Sequence, residues 1–272
     1  TNSHDFIIKR ISENYPGNNF LASELADRGK CYKSYLKFLP FPFYDKVSLP
    51  QEFTQEVIHL GPARPGAKRF YTSQEVDNLM PNDTAYILKY DADLERRMIY
   101  VLNRICQSIN FLDQIRISPI RDRSLDAKKI EVKTSGSDTF VNIADTGYGV
   151  SQLLPIIYNS ISEKNQTILV QQPETHLHPR LQAEVGTLMA NSINDYRKNW
   201  IVETHSEIIL LRLLKLIRKG ELDSNNLRVY YFDIKAKGGS EITRMHVSKE
   251  GDLITQWPEG FFSNEVDEMF DI

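Results

Sequence analysis

Between about residues 85 and 118, Leu94, Met98, Val101, Leu102, Ile105, Ile109 and Leu112 recur at steps of three and four. That period sets them along one face of a long helix with a single buried stripe. Further on, 129–133 and 139–143 are short β-type runs on either side of Ser135-Gly136-Ser137, which predicts a hairpin with a polar, exposed turn. Beyond Asp145 the order becomes glycine-rich loop, helix, strand, helix, strand, helix, strand, the alternation of a layered α/β domain. Thr167-Ile-Leu-Val170 and Trp200-Ile-Val202 are short apolar runs, as strands covered on both faces are. Between them Leu181, Val185, Leu188, Met189 and Ile193 keep helical spacing after Pro179, a residue suited to a first helical turn. Residues 228–234 and 241–247 predict a closing hairpin over Lys235-Ala-Lys-Gly-Gly-Ser240. Before about residue 60, Pro16, Pro40, Pro42 and Pro50 interrupt any long element, and that stretch reads as an irregular appended lobe. The expected organisation is an irregular or insert lobe over 1–84, a helix and hairpin over 85–144, an α/β core over 145–220 and a C-terminal hairpin with a tail over 221–272. No internal repeat or low-complexity tract interrupts it.

Composition narrows the class. The 272 residues are 41% hydrophobic and 25% charged, enough to bury one large or two modest cores, which excludes a disordered or disulfide-stapled chain. The net charge of -3 gives no global pull toward nucleic acid or anionic lipid, so such contact would need a local patch. Cys31 and Cys106 have no metal-type spacing, and two thiols in a chain of this length suggest a reducing cytoplasm. No apolar run approaches the roughly 18 residues that span a bilayer, and the segment starting Thr1-Asn2-Ser3 has no signal-peptide pattern.

Three motifs carry the candidate chemistry. Asp145-Thr-Gly147-Tyr-Gly149-Val-Ser151-Gln152 is a glycine turn opening a helix; glycines let backbone N–H groups approach a phosphate, Ser151 offers a hydroxyl, and a helix N-terminus favours an anion. The plainer reading is that Gly147 and Gly149 only shape a turn. Val170-Gln171-Gln172-Pro173-Glu174-Thr-His176-Leu-His178-Pro179 ends a buried strand in polar groups, the place where α/β folds hold ligands. Trp200-Ile-Val-Glu203-Thr204-His205-Ser206-Glu207 ends a second strand in the same way, with Ser206 placed to cap the following helix.

In this order the motifs resemble the ATP-binding-cassette-like branch of P-loop ATPases that includes the SMC, RecF and OLD groups. Residues 147–152 look like the signature loop, 168–172 like the Walker B strand, Leu177-His178-Pro179 like the dimer-contacting D-loop, and Thr204-His205-Ser206 like the switch-histidine motif. The Gln-Pro-Glu-x-His-Leu-His-Pro run and the ending Trp257-Pro-Glu-Gly260-Phe-Phe262 resemble an AAA/OLD-like branch with relatives in anti-phage systems, and His59-Leu-Gly-Pro-Ala-Arg64 is a weaker echo. The resemblance implies ATP and Mg2+ as cofactors and a homodimer or higher homo-oligomer. In it, Gly147, Gly149, Ser151 and Gln152 complete the other copy's nucleotide site while His178 and Pro179 make the dimer contact. It also implies Gln171, Gln172, Glu174 and His205 as the catalytic set, and an effector protein as partner.

Two departures qualify those implications. Gly61-Pro-Ala-Arg-Pro-Gly66-Ala67-Lys68 imitates a Walker A spacing, but Ala67 stands where Lys belongs, so the chain reads as the distal part of a longer ATPase. Gln171 and Gln172 replace both Walker B acids, and an amide neither orders magnesium's water shell as a carboxylate does nor takes a proton from attacking water. Either the enzyme is slow or inactive, or an acid at 171 was changed so that ATP is trapped.

Other signals have plainer alternatives. His176 and His178 form an H-x-H pair without a third ligand at a matching spacing. Lys30-Cys-Tyr-Lys33-Ser-Tyr35-Leu-Lys37-Phe38 interleaves cations and aromatics as single-strand grooves do, although a partner-binding or packed surface accounts for it as well. The stripe over 94–112 suits a docked partner or plain core. A RecF- or SMC-type maintenance ATPase would need a basic groove or sustained heptads, and neither is present. An OLD nuclease would need a Toprim domain where 219–272 offers only a hairpin and tail. A scaffold built on a degenerate ATPase fits the two glutamines.

Overall fold

The computed structural model describes residues 57–90, 92–120, 126–134, 136–162, 166–234 and 239–255. The 30–38 stretch, the 235–238 turn and the Trp257 to Phe262 ending lie outside the described residues. The described residues divide into two compact units, one within 58–212 and one that includes 213–234 and 239–255.

Three strands form the sheet that positions the motifs: β1 (Val57–Leu60), β6 (Thr167–Gln171) and β7 (Asn199–Glu203), in the order β1-β6-β7. The strands β6 and β7 run parallel, pairing Thr167 with Asn199 through to Gln171 with Glu203, as the alternation predicts. Ile168 and Val170 on the central strand are fully buried, whereas Trp200, Ile201 and Val202 are only half-buried. The expectation that the second strand is covered on both faces is thus corrected. An apolar run alone does not separate a central strand from an edge strand.

A second, antiparallel sheet joins β2 (Tyr71–Thr72), β4 (Ala127–Lys133) and β3 (Gln114–Pro119), with β5 (Val141–Asn142) on β4. The predicted hairpin is therefore present as β4 and β5, but the longer ladder of β4 is with β3, from Gln114↔Lys133 to Pro119↔Lys128. Strand β3 falls inside the span read as helix. The helix, α2 (Ala92–Ser108), stops earlier, and just beyond it Asn110 turns into the left-handed region (φ 54) and Phe111 N–H returns to Cys106 O at 2.8 Å. Its buried stripe is Met98, Leu102 and Cys106, while Leu94 is 40% exposed. Burial pushes the Cys106 thiol up to about 12.

Helix α1 (Ser73–Asp77) begins with a capping box made by Thr72 and Glu75. Helix α3 (Tyr148–Ile161) is covered on every side from Ser151 to Ile161. Its Pro155 has no N–H to give to Ser151 O, and the Thr84 hydroxyl donates there instead at 3.1 Å. Asn159 bonds Pro155 O and Pro81 O, and the buried Tyr158 hydroxyl bonds Pro81 O and Asp83 O. Helix α4 (Pro179–Tyr196) starts on Pro179 as predicted and lies close to α5 (Glu207–Arg218), where a Cβ on Gly186 would sit 3.1 Å from Ile209 O. In the other unit, β8 (Val229–Ile234) and β9 (Ser240–Met245) make the expected antiparallel hairpin.

Candidate functional site

The ends of β6 and β7 and the start of α3 converge in the 58–212 unit. A polar row crosses the sheet there: His59 Nε2 lies 3.1 Å from Gln171 Oε1, and Gln171 Nε2 donates to Glu203 Oε2 at 2.9 Å. Gln172 prolongs the ladder by donating its N–H to Glu203 O, then turns through φ 44 into the left-handed region. Thr175 N–H bonds Gln172 O and Leu177 N–H bonds Glu174 O, so residues 172–177 form a compact turn held on the buried Pro173 and Leu177.

Glu174 bridges the two strand ends. Its Oε1 accepts His205 N–H at 2.8 Å and its Oε2 accepts the Thr204 hydroxyl at 2.7 Å, so both oxygens are engaged in placing the 204–206 segment. Ser206 caps α5 by accepting Ile209 N–H, and its hydroxyl donates to Gln182 Oε1. His205 is left exposed at the edge. Gln171, Glu174 and His205 are therefore brought together, as the strand pairing predicts.

The glycine turn docks onto this edge from within the chain. A Cβ on Gly149 would stand 2.7 Å from His176 O, inside any real contact, so only glycine allows α3 to approach the 172–177 turn. The rings of Tyr148 and His176 meet edge to face at 4.9 Å. Gly147, Tyr148, His176, His178 and Pro179 are exposed, although the Tyr148 hydroxyl turns in to donate to Arg64 O, and an added Cβ at Gly147 meets nothing within 4 Å among the described residues. His178 also caps α4, its Nδ1 accepting Arg180 N–H.

Ser151 and Gln152 lie elsewhere. They are 4% and 0% exposed; Ser151 Oγ accepts Ala67 N–H at 3.2 Å, and Gln152 bonds both the N–H and the carbonyl of Arg64. The expectation that Ser151 sits on a contact surface is corrected, because helical periodicity turns it and Gln152 toward the 61–68 loop. In that loop, which imitates Walker A spacing, the Arg64 and Ala67 amides bond α3 and the Lys68 amide bonds the Tyr71 hydroxyl.

Arg64, seen in the sequence only as part of an echo, is the residue whose place is least legible there. It is fully buried, and its guanidinium donates to Gly61 O, Gln171 O and Gln172 O. Burial lowers its pKa to about 10, against the opposing pull of Glu174. No sequence pattern marks a buried cation apart from its neighbours in the His59 to Arg64 run.

A separate cavity of about 380 Å³ opens beside α1, lined in part by Lys68, Tyr71, Glu75 and Asp83, away from the strand ends. Among the described residues no group of three or more His, Cys, Asp or Glu is placed to hold a metal ion, and no helix is long and apolar enough to cross a membrane.

Residues 73–210 match the family described as AAA ATPase domain. No curated protein matches the chain. Among solved structures, an Smc head domain with an extended coiled coil from Pyrococcus furiosus, bound to the C-terminal domain of ScpA, is 15% identical with a TM-score of 0.42. The alignment covers 56% of this chain and 36% of that one, so the chain spans little more than a third of that relative's length. A structure described under ATP-driven dimerization and DNA stimulated activation of SMC ATPases is 16% identical with a TM-score of 0.39, over 62% of this chain and 96% of that one.

Proposed function

Because the chain belongs to the AAA ATPase domain family, we propose that it is an ATP-binding subunit that dimerises around nucleotide and turns it over slowly. The observation that carries this reading is the docking of the glycine turn on the 172–177 turn that follows β6. Gly149 against His176 O makes one outward face of Gly147, Tyr148, His176, His178 and Pro179. That face would close over a phosphate presented by a second copy, with the N-terminus of α3 directed at the anion.

The donor set at the polar row fits hydrated magnesium in part: Glu203 supplies one exposed carboxylate, and Gln171 supplies an amide rather than a second. Magnesium-bound ATP, when held, supplies the phosphoanhydride and the neutralisation of its charge. The chain's residues then divide the work. Glu203 and Gln171 would hold the metal through its waters, Glu174 fixes the 204–206 segment, and His205 would be the side chain left to meet the phosphate. With Glu174 engaged at both oxygens, Glu203 is the carboxylate left to take a proton from water.

Replacing Gln171 by Glu tests this. It sets a second carboxylate about 3 Å from Glu203, where two like charges raise one pKa or recruit a cation. Turnover is expected to rise by about a hundredfold or more, the usual worth of a placed acid–base group, with ATP binding little changed. The variant's melting temperature should depend on magnesium more steeply than the parent's. Equal turnover and equal magnesium response in both forms would remove the Gln171 edge from the chemistry.

A second reading, an ATPase-fold scaffold without turnover, is favoured by the two amides at 171 and 172, and ATP binding without hydrolysis in both forms would select it. The finer role, control of an effector subunit in anti-phage defence, rests on the motif resemblance; loss of phage protection on Gly147→Arg in the native operon tests it. Stimulation of turnover by DNA would instead favour the maintenance-type role.

A further inference from the structure

Arg64 reaches both halves of the site at once. Its side chain is wholly excluded from solvent, a costly place for a cation that a simple packing role would fill with an apolar residue. Nη1 donates to Gly61 O at 2.9 Å and to Gln171 O at 3.3 Å, while Nη2 donates to Gln172 O at 3.3 Å. Its main chain faces the other way. Its N–H donates to Gln152 Oε1 at 3.2 Å, and its carbonyl accepts Gln152 Nε2 at 2.8 Å and the Tyr148 hydroxyl at 3.0 Å. The guanidinium Nε has no partner among the described residues, so the contacts made there are those of its two terminal nitrogens. Those nitrogens meet consecutive carbonyls at the point where Gln172 enters the left-handed region, a conformation a non-glycine residue keeps only when held. Lysine would retain the charge but on a flexible stem, without the planar fork that sends a separate nitrogen to each carbonyl.

We infer that Arg64 is a positioning residue that locks the end of β6 to the start of α3, so that the glycine turn and the Gln171, Glu174 and His205 edge move as one body. The inference rests on the nucleotide reading only for its consequence: contact at Gly147 and Tyr148 reaches the β6 and β7 ends through Arg64. Without it, nucleotide could still be held while the edge responsible for turnover drifts.

The test compares the full protein with Arg64→Lys and Arg64→Gln, the second keeping a hydrogen-bonding group without charge should the first fail to fold. Hydrogen exchange is measured first, without nucleotide. The amides of Gln172, Thr175 and Leu177 at one end, and of Ala67 and Val150 at the other, are expected to exchange about tenfold faster or more, while residues 185–190 of α4 stay protected. An even rise throughout the unit would mark Arg64 as merely stabilising, and unchanged exchange at 172–177 would overturn the coupling. Mg-ATP binding and turnover are then measured separately. Binding within about threefold of the parent, with turnover lowered about tenfold or more, fits displaced reacting groups; equal proportional loss of both overturns the positioning role. If the parent itself binds no Mg-ATP, the nucleotide reading fails while the exchange result still decides whether Arg64 couples the two ends.

Discussion

Gly149 illustrates how one residue serves the site through what it lacks. Its Cα lies where the carbonyl of His176 presses on α3, and a methyl group there would meet that oxygen at 2.7 Å. Gly149→Ala should therefore cost about 1–3 kcal/mol by overpacking, read as a fall in the thermal midpoint. Gly147→Ala, open on all sides, should leave the midpoint nearly unchanged. Equal effects would mean that the two glycines share one role in the turn. The sequence singled out both glycines for a phosphate, and the close approach that separates them is a three-dimensional fact with no local signature. Arg64 is a sharper case. Apart from Gly61, its partners are 84 to 108 residues away, and no periodicity makes such a pairing visible. Glu174 was legible as an acid near the edge, but not as one whose two oxygens are both taken up by the 204–205 segment.

Elements were legible where their own pattern decides them and obscure where a partner does. The parallel pair β6 and β7, the Pro179 start of α4 and the β8–β9 hairpin follow from short apolar runs and turn residues that need no context. Strand β3 was hidden because Ile109 and Leu112 continue the helical step past the true end of α2 at Ser108, and its pairing with β4 is what makes it a strand. That ladder holds a carboxylate with a measurable pH signature. Glu131 on β4 is 8% exposed and lies opposite Arg116 of β3; it accepts Lys129 Nζ at 2.8 Å, Arg116 Nε at 3.0 Å and the Ser118 hydroxyl at 2.8 Å. The Lys129 bond above all, with those of Ser118 and Arg116, outweighs burial and holds its pKa at about 2, down from 4.5. A carboxyl with a depressed folded-state pKa contributes stability above its unfolded value, and that stability is lost as pH falls from about 4.5 toward 2. Glu131→Gln should therefore melt lower than the parent at pH 6, with the gap closing as the pH is lowered through that window. A gap independent of pH would show that the ion cluster contributes only packing.

At the scale of the whole molecule the open matter is assembly, and the buried position of Ser151 changes how it is tested. An arginine at 151 would have to enter space held by Ala67 N–H and the Thr84 hydroxyl, so Ser151→Arg should disrupt the start of α3 and cannot report on a second copy. Gly147 is the informative position. It caps α3 in ordinary extended backbone (φ -60, ψ 146), and among the described residues a side chain built there meets nothing within 4 Å of its Cβ. Gly147→Arg should then fold with an unchanged thermal midpoint while blocking the approach of another copy to the face that also carries Tyr148, His176 and His178. His178→Ala makes a weaker comparison, because removing the cap of α4 itself costs about 0.5–2 kcal/mol. Light scattering of the full protein with and without Mg-ATP should give ATP-dependent dimers for the parent and monomers for Gly147→Arg. If both dimerise equally, the glycine turn shapes only its own chain, and the scaffold reading gains the ground that the in-trans nucleotide site loses.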